Sequence, residues 1–103
     1  DRREAQGIEV YVQQPNSNTN SGLRFKSENL GESLLSEFDK ALGFKIRGLK
    51  FANFQVLRET QYICPGVLLE ISFLSNWEEA EHNVRKESIR AFGMAVLEVL
   101  LEW

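Results

Sequence analysis

The sequence predicts an α/β fold, a partial mixed sheet of about three strands covered by helices, and three stretches carry that prediction. Residues 7–13 alternate, with Ile8, Val10 and Val12 on one side and Glu9, Tyr11 and Gln13 on the other, which is the period of a strand with one well-buried face. Residues 28–42 repeat Leu30, Leu34, Leu35, Phe38 and Leu42 at helical spacing, the stripe of an amphipathic helix packed on a sheet. Residues 66–73 are apolar enough for a strand buried on both faces, with a single acid, Glu70, inside the run.

Taken in order, residues 1–6 are polar, and residues 14–22, with Pro15, Asn16, Asn18, Asn20 and Gly22, have the composition of a surface loop. Ser27 is the expected N-cap of the first helix and Gly43 its stop. Residues 44–53 mix Lys45, Arg47, Gly48 and Lys50 with apolar side chains, and residues 54–58 read as the second strand. Only about seven residues separate that strand from the third, fewer than a parallel crossover needs, so the two are either antiparallel neighbours or not neighbours at all.

Beyond the third strand, Ser75 or Asn76 is placed to cap a short helix running through His82, with Glu78 and Glu79 where a capping box asks for them. Residues 87–101 form a longer helix with Ile89, Phe92, Val96, Val99 and Leu100 on one face. Met94, Leu97 and Leu101 make much of the remainder apolar, which predicts burial against more than one surface. Three strands are few for two layers of helices, which implies a larger sheet of which this is a part.

Composition narrows the function classes. With 103 residues, 43% hydrophobic and 26% charged, the chain holds one modest core and a single domain. A net charge of −3 offers no footprint for nucleic acid, whose binding depends on neutralising phosphates. The one cysteine, Cys64, excludes an internal disulfide and a Cys-rich metal site, and reads as a small apolar residue beside Pro65. No run approaches a membrane span, and the charged first residues are not those of a signal peptide.

An ionised carboxylate in an apolar strand is costly unless it is hydrated, hydrogen-bonded or paired, so Glu70 points to a strand opening into a cleft or to a structural partner. The wording around it adds chemistry. Pro65-Gly66-Val67-Leu68-Leu69-Glu70-Ile71-Ser72-Phe73-Leu74-Ser75-Asn76, followed by Trp77-Glu78-Glu79-Ala80, resembles the last motif of the zinc-dependent N-acetylmuramoyl-L-alanine amidases. The likeness extends to Ala5-Gln6-Gly7-Ile8-Glu9-Val10-Tyr11, to the helix of residues 27–42, to Arg47-Gly48-Leu49-Lys50 and to Phe54-Gln55-Val56-Leu57-Arg58, in the family's order.

This resemblance implies the C-terminal half of a three-layer α/β/α amidase domain, with Glu70 on the family's catalytic acid. It implies a peptidoglycan substrate, cut at the amide between N-acetylmuramic acid and L-alanine of the stem peptide, and a parent located in the bacterial cell envelope. Zinc is implied for the intact parent, but the family's His, Glu and His ligands would all fall before Asp1, so no tightly bound metal is expected on this chain. His82 does not replace them: it lies among Glu78, Glu79, Glu81 and Asn83, and one His does not build a tetrahedral centre. Asn76 and Arg47 are the candidate substrate contacts, each with a structural rival, a helix cap for Asn76 and pairing with Glu side chains for Arg47. Arg58 shares the second rival, and Trp77 is expected to pack. The resemblance also leaves room for a non-catalytic fragment or a degenerate amidase acting as a cell-wall binding module, while strand edges left by truncation and the broadly apolar last helix point to a homo-oligomer or domain-swapped dimer of the fragment.

Overall fold

The computed structural model describes residues 7–43, 45–72 and 82–103, with side chains for 7–43, 45–71 and 86–103. The alternating run forms β1, Gly7–Gln13, whose Ile8, Val10 and Val12 are the best-buried strand side chains at 1%, 0% and 1% exposure. β1 is the middle strand of a three-stranded sheet. On one side it pairs in parallel with β2, Ile46–Ala52, and on the other antiparallel with β3, Leu68–Ser72. The mixed sheet matches the expectation, and β2 and β3 are not neighbours.

The crossover from β1 to β2 is α1, Ser21–Glu37, which continues as one π-helical turn over Phe38–Leu42. The helix begins earlier than Ser27. Asn20 is the N-cap, its side-chain oxygen accepting from the Leu23 N–H at 3.1 Å, so the loop-like residues 20–22 open the helix. Ser27, within the helix, instead accepts from the Gly66 N–H at 2.9 Å and ties the approach to β3 onto α1. The stop is at Gly43, where φ of +67° takes the left-handed cap and the Gly43 N–H donates to the Asp39 carbonyl. At Gly31 a Cβ would meet Leu49 Cδ1 at 2.8 Å and Val10 Cγ1 at 2.9 Å, so glycine is what lets α1 lie this close to the sheet.

Two expectations are corrected between α1 and β3. The second strand is residues 46–52, and residues 54–58 belong mostly to a short helix, α2, Gln55–Thr60. Arg58 N–H donates to the Phe54 carbonyl at 2.8 Å, and of the α2 apolar pair Leu57 is buried while Val56 stays 56% exposed, a helix with one inward side chain. β2 escapes a period-two reading because a bulge inserts Arg47: Ile8 pairs with Ile46 and Glu9 with Gly48, so Ile46 and Leu49 share the core face although three positions apart. Gly48 makes the bulge feasible, with φ of +106°.

The last helix, α3, spans His82–Glu102 without a break among the described residues. It lays Phe92, Ala95 and Val99 into the core beside Leu30, Leu34, Leu35 and Phe38, with the Phe38 and Phe92 rings edge-on at 5.2 Å. The predicted burial on several sides is not found. Ile89, Met94 and Leu101 are 62%, 62% and 75% exposed, and Leu97 and Leu100 are exposed as well, because among the described residues only α1 and its π-helical turn pack against α3 to any extent. β3 also departs from the expectation of burial on both faces: Leu69 and Ile71 face the core half-buried, and Glu70 is exposed.

Candidate active site

The site follows from register. Ile8, Val10 and Val12 face the core, so Glu9 and Tyr11 point to the outer face of the sheet. In the antiparallel β1–β3 ladder Glu9 is the direct partner of Glu70, which places both carboxylates on that outer face, side by side. Like charges directly opposite one another are unfavourable in a sheet unless something offsets them.

The offset is attached to Glu9. The bulge turns Arg47 toward it, and Arg47 Nε lies 2.9 Å from Glu9 Oε1. Lys50 Nζ reaches the same oxygen at 3.4 Å. The other oxygen, Oε2, accepts a short hydrogen bond from the Tyr11 hydroxyl. That hydrogen bond is the main reason the Glu9 carboxyl lies below its ordinary range; desolvation opposes it, and Lys50 and Arg47 add to it. The same bond, made by the neutral phenol, raises the Tyr11 pKa, and the nearby Glu9 and Glu70 charges act in the same direction. The Tyr11 ring is fixed from outside by Phe54, edge-on at 5.2 Å.

Glu70 therefore stands exposed beside a compensated carboxylate, open to hydration, which removes the cost that an acid in an apolar run would carry. Arg47, a candidate substrate contact, is in an ion pair with Glu9. Arg58 is engaged with Asn53, its Nη1 donating to Asn53 Oδ1 at 3.1 Å. Asn76 and Trp77 lie outside the described residues, and so does the side chain of His82. Cys64 is a free, exposed thiol. A small cavity lined by Val12, Leu23, Ser27, Leu57 and Gly66 sits toward the carboxyl end of β1, away from the Glu9–Glu70 pair. Among the described residues no three His, Cys, Asp or Glu side chains are grouped to hold a metal ion.

Sequence reasoning alone does not single out Glu9, Tyr11 or Lys50. The alternation of residues 7–13 already puts Glu9 and Tyr11 on one side; what it lacks is the register that sets Glu9 against Glu70.

The N-acetylmuramoyl-L-alanine amidase family profile matches residues 1–102. Among solved structures, the N-acetylmuramoyl-L-alanine amidase from Clostridium difficile 630 is similar over 93% of this chain and 47% of its own, with a TM-score of 0.69 and 21% identity. The catalytic domain of CwlV, an N-acetylmuramoyl-L-alanine amidase from Bacillus (Paenibacillus) polymyxa var. colistinus, is 28% identical with a TM-score of 0.57, over 91% of this chain and 48% of its own. AmiC2 of Nostoc punctiforme, also an N-acetylmuramoyl-L-alanine amidase, is 24% identical with a TM-score of 0.58, over 92% of this chain and 48% of its own. The chain thus spans about half the length of the structures it matches. No curated protein matches the sequence.

Proposed function

We propose, on the premise that the chain belongs to the N-acetylmuramoyl-L-alanine amidase family, that it supplies the acid–base half of a peptidoglycan amidase whose general base and acid is Glu70. The observation carrying this reading is the position of Glu70, exposed on the outer face of a strand whose other face is packed. The bond cut is the amide between N-acetylmuramic acid and L-alanine of the stem peptide. Water adds its oxygen to the carbonyl carbon as its proton passes to Glu70; the carbon–nitrogen bond then breaks and Glu70 returns the proton to the leaving amine.

The described residues do not fit a complete zinc centre, since no three donor side chains come together among them. The zinc implied for the parent is assigned to residues outside this chain, where it would polarise the carbonyl and acidify water. Of the described residues, Glu70 alone is given a proton-transfer role. The substrate places the parent in the cell envelope, and no helix among the described residues is long and apolar enough to cross a membrane.

The test is Glu70→Gln in the full-length protein, assayed for release of free amine from purified peptidoglycan. The expected result is a loss of about 10²- to 10⁴-fold in turnover with an unchanged unfolding midpoint, because the replaced side chain is exposed. A variant that cleaves at the wild-type rate overturns the role of Glu70. A wild-type protein that binds peptidoglycan and releases no amine moves the assignment to a cell-wall binding module.

A further inference from the structure

We propose that the exposed apolar stripe of α3 is an internal interface of the parent domain, docked against the half of the amidase domain that the family resemblance places before Asp1. The inference rests on the reading of this chain as one half of an amidase domain and is independent of the role given to Glu70.

α3 carries two apolar stripes. Phe92, Ala95 and Val99 form the first and are buried in the core with α1. Ile89, Gly93, Leu97 and Leu100 follow one another at four- and three-residue steps, so they line a second stripe beside the first, and Met94 and Leu101 widen it. None of its five large side chains is less than 47% exposed. Contiguous apolar surface of this kind marks an interaction site. Gly93 strengthens the reading. Glycine inside a helix is unfavourable relative to alanine, and a Cβ at Gly93 would meet nothing, so no contact among the described residues calls for it. At the middle of the stripe it leaves a notch that lets a partner approach the helix backbone closely.

The surroundings choose the occupant. The chain spans about half of the catalytic domain of CwlV, so a stretch of comparable length completes that fold. The family profile runs to residue 102, which puts α3 inside the domain. Among the described residues the sheet has three strands, and the outer edges of β2 and β3 have no neighbouring strand, so the sheet is left open as the helix is. α3 leans on α1 and its π-helical turn and only lightly on the strands, which leaves its second stripe free for the rest of the domain. A membrane surface is a poorer match. The charged side chains of α3 are of both signs, Glu87, Glu98 and Glu102 against Lys86 and Arg90, whereas a helix lying on an anionic bilayer has a basic polar face.

The experiment is maleimide labelling of the full-length protein in a background without other cysteines, Cys64→Ser among the replacements because that thiol is exposed. Leu97→Cys reports the stripe, and Glu98→Cys, on the polar side of the same helix, is the exposed reference. Leu97→Cys is expected to label about tenfold more slowly than Glu98→Cys or slower still, at every protein concentration, and equally fast once both are unfolded in urea. Ile89→Cys repeats the measurement at the other end of the stripe should Leu97→Cys fail to fold, as read by circular dichroism. Equal labelling of stripe and reference in the native protein overturns the proposal. Protection that disappears on dilution, with a light-scattering mass of two protomers, gives the stripe to a second copy and overturns it as well. A full-length protein with no further domain half overturns the half-domain reading and the docking with it, a result distinct from fast labelling in a protein that contains both halves.

Discussion

The two faces of β1 are built on opposite principles although their residues alternate along one strand. On the inner face Ile8, Val10 and Val12 are at most 1% exposed, Ile8 and Val10 in one core cluster with Leu30, Leu34, Leu35 and Phe38, where shape and volume decide what fits. On the outer face Glu9 and Tyr11 are held by a hydrogen bond and two ion pairs, and Glu70 stands beside them exposed. The inner face supplies the packing and the outer face the charged groups. Because strand side chains alternate, a one-residue slip of β3 would bury Glu70 and expose Leu69 and Ile71, so packing on the inner face fixes the register that brings the carboxylates together on the outer one.

Breaking the inner face has the largest expected effect on stability. Phe38 is fully buried, edge-on to Phe92 at the junction of α1 and α3, and Phe38→Ala removes a ring that neighbouring backbone cannot replace. A loss of about 3–5 kcal/mol in urea unfolding is expected. A smaller effect comes from adding rather than removing atoms: Gly31→Ala places a Cβ 2.8 Å from Leu49 Cδ1 and 2.9 Å from Val10 Cγ1, forcing the helix and sheet apart. About 1–3 kcal/mol is expected, and an unchanged unfolding midpoint would mean that α1 sits farther from β1 than these contacts require.

The inner face is also the easier one to read from sequence. Ile8, Val10 and Val12 on β1, and Leu30, Leu34, Leu35 and Phe38 on α1, announce themselves through period alone, and Gly43 stops the helix as its type suggests. The start of α1 is hidden because Asn20, Ser21 and Gly22 serve loops and helix caps equally well. β2 is hidden by its bulge, which breaks the alternation at Arg47 and Gly48, and α2 reads as a strand because six residues are too few for a helical period to emerge. On the outer face Glu70 is recognisable from its motif, whereas Glu9 is not, since its importance depends on pairing with a strand far away in the chain.

The outer face yields the smallest expected effect, and one with a sign. In the unfolded chain Glu9 titrates at the ordinary value of 4.5; in the fold the Tyr11 hydrogen bond, above all, with Lys50 and Arg47 behind it, holds the carboxyl lower against the opposing effect of desolvation. A depressed folded value means that the stabilisation is fully present above 4.5 and is lost as pH falls through the folded value. Tyr11 is the mirror case: its folded value is raised, so its contribution is complete below the ordinary 10.0 and disappears as pH climbs through the folded value. One hydrogen bond thus weakens at both extremes. Melting temperature followed against pH should fall less steeply on the acid side in Glu9→Gln than in wild type, and less steeply on the alkaline side in Tyr11→Phe. Substitutions of the inner face should lower both limbs together, because no titrating group there distinguishes acid from base. Parallel curves for Glu9→Gln and wild type below pH 4.5 would show that the Tyr11–Glu9 bond contributes nothing to the fold.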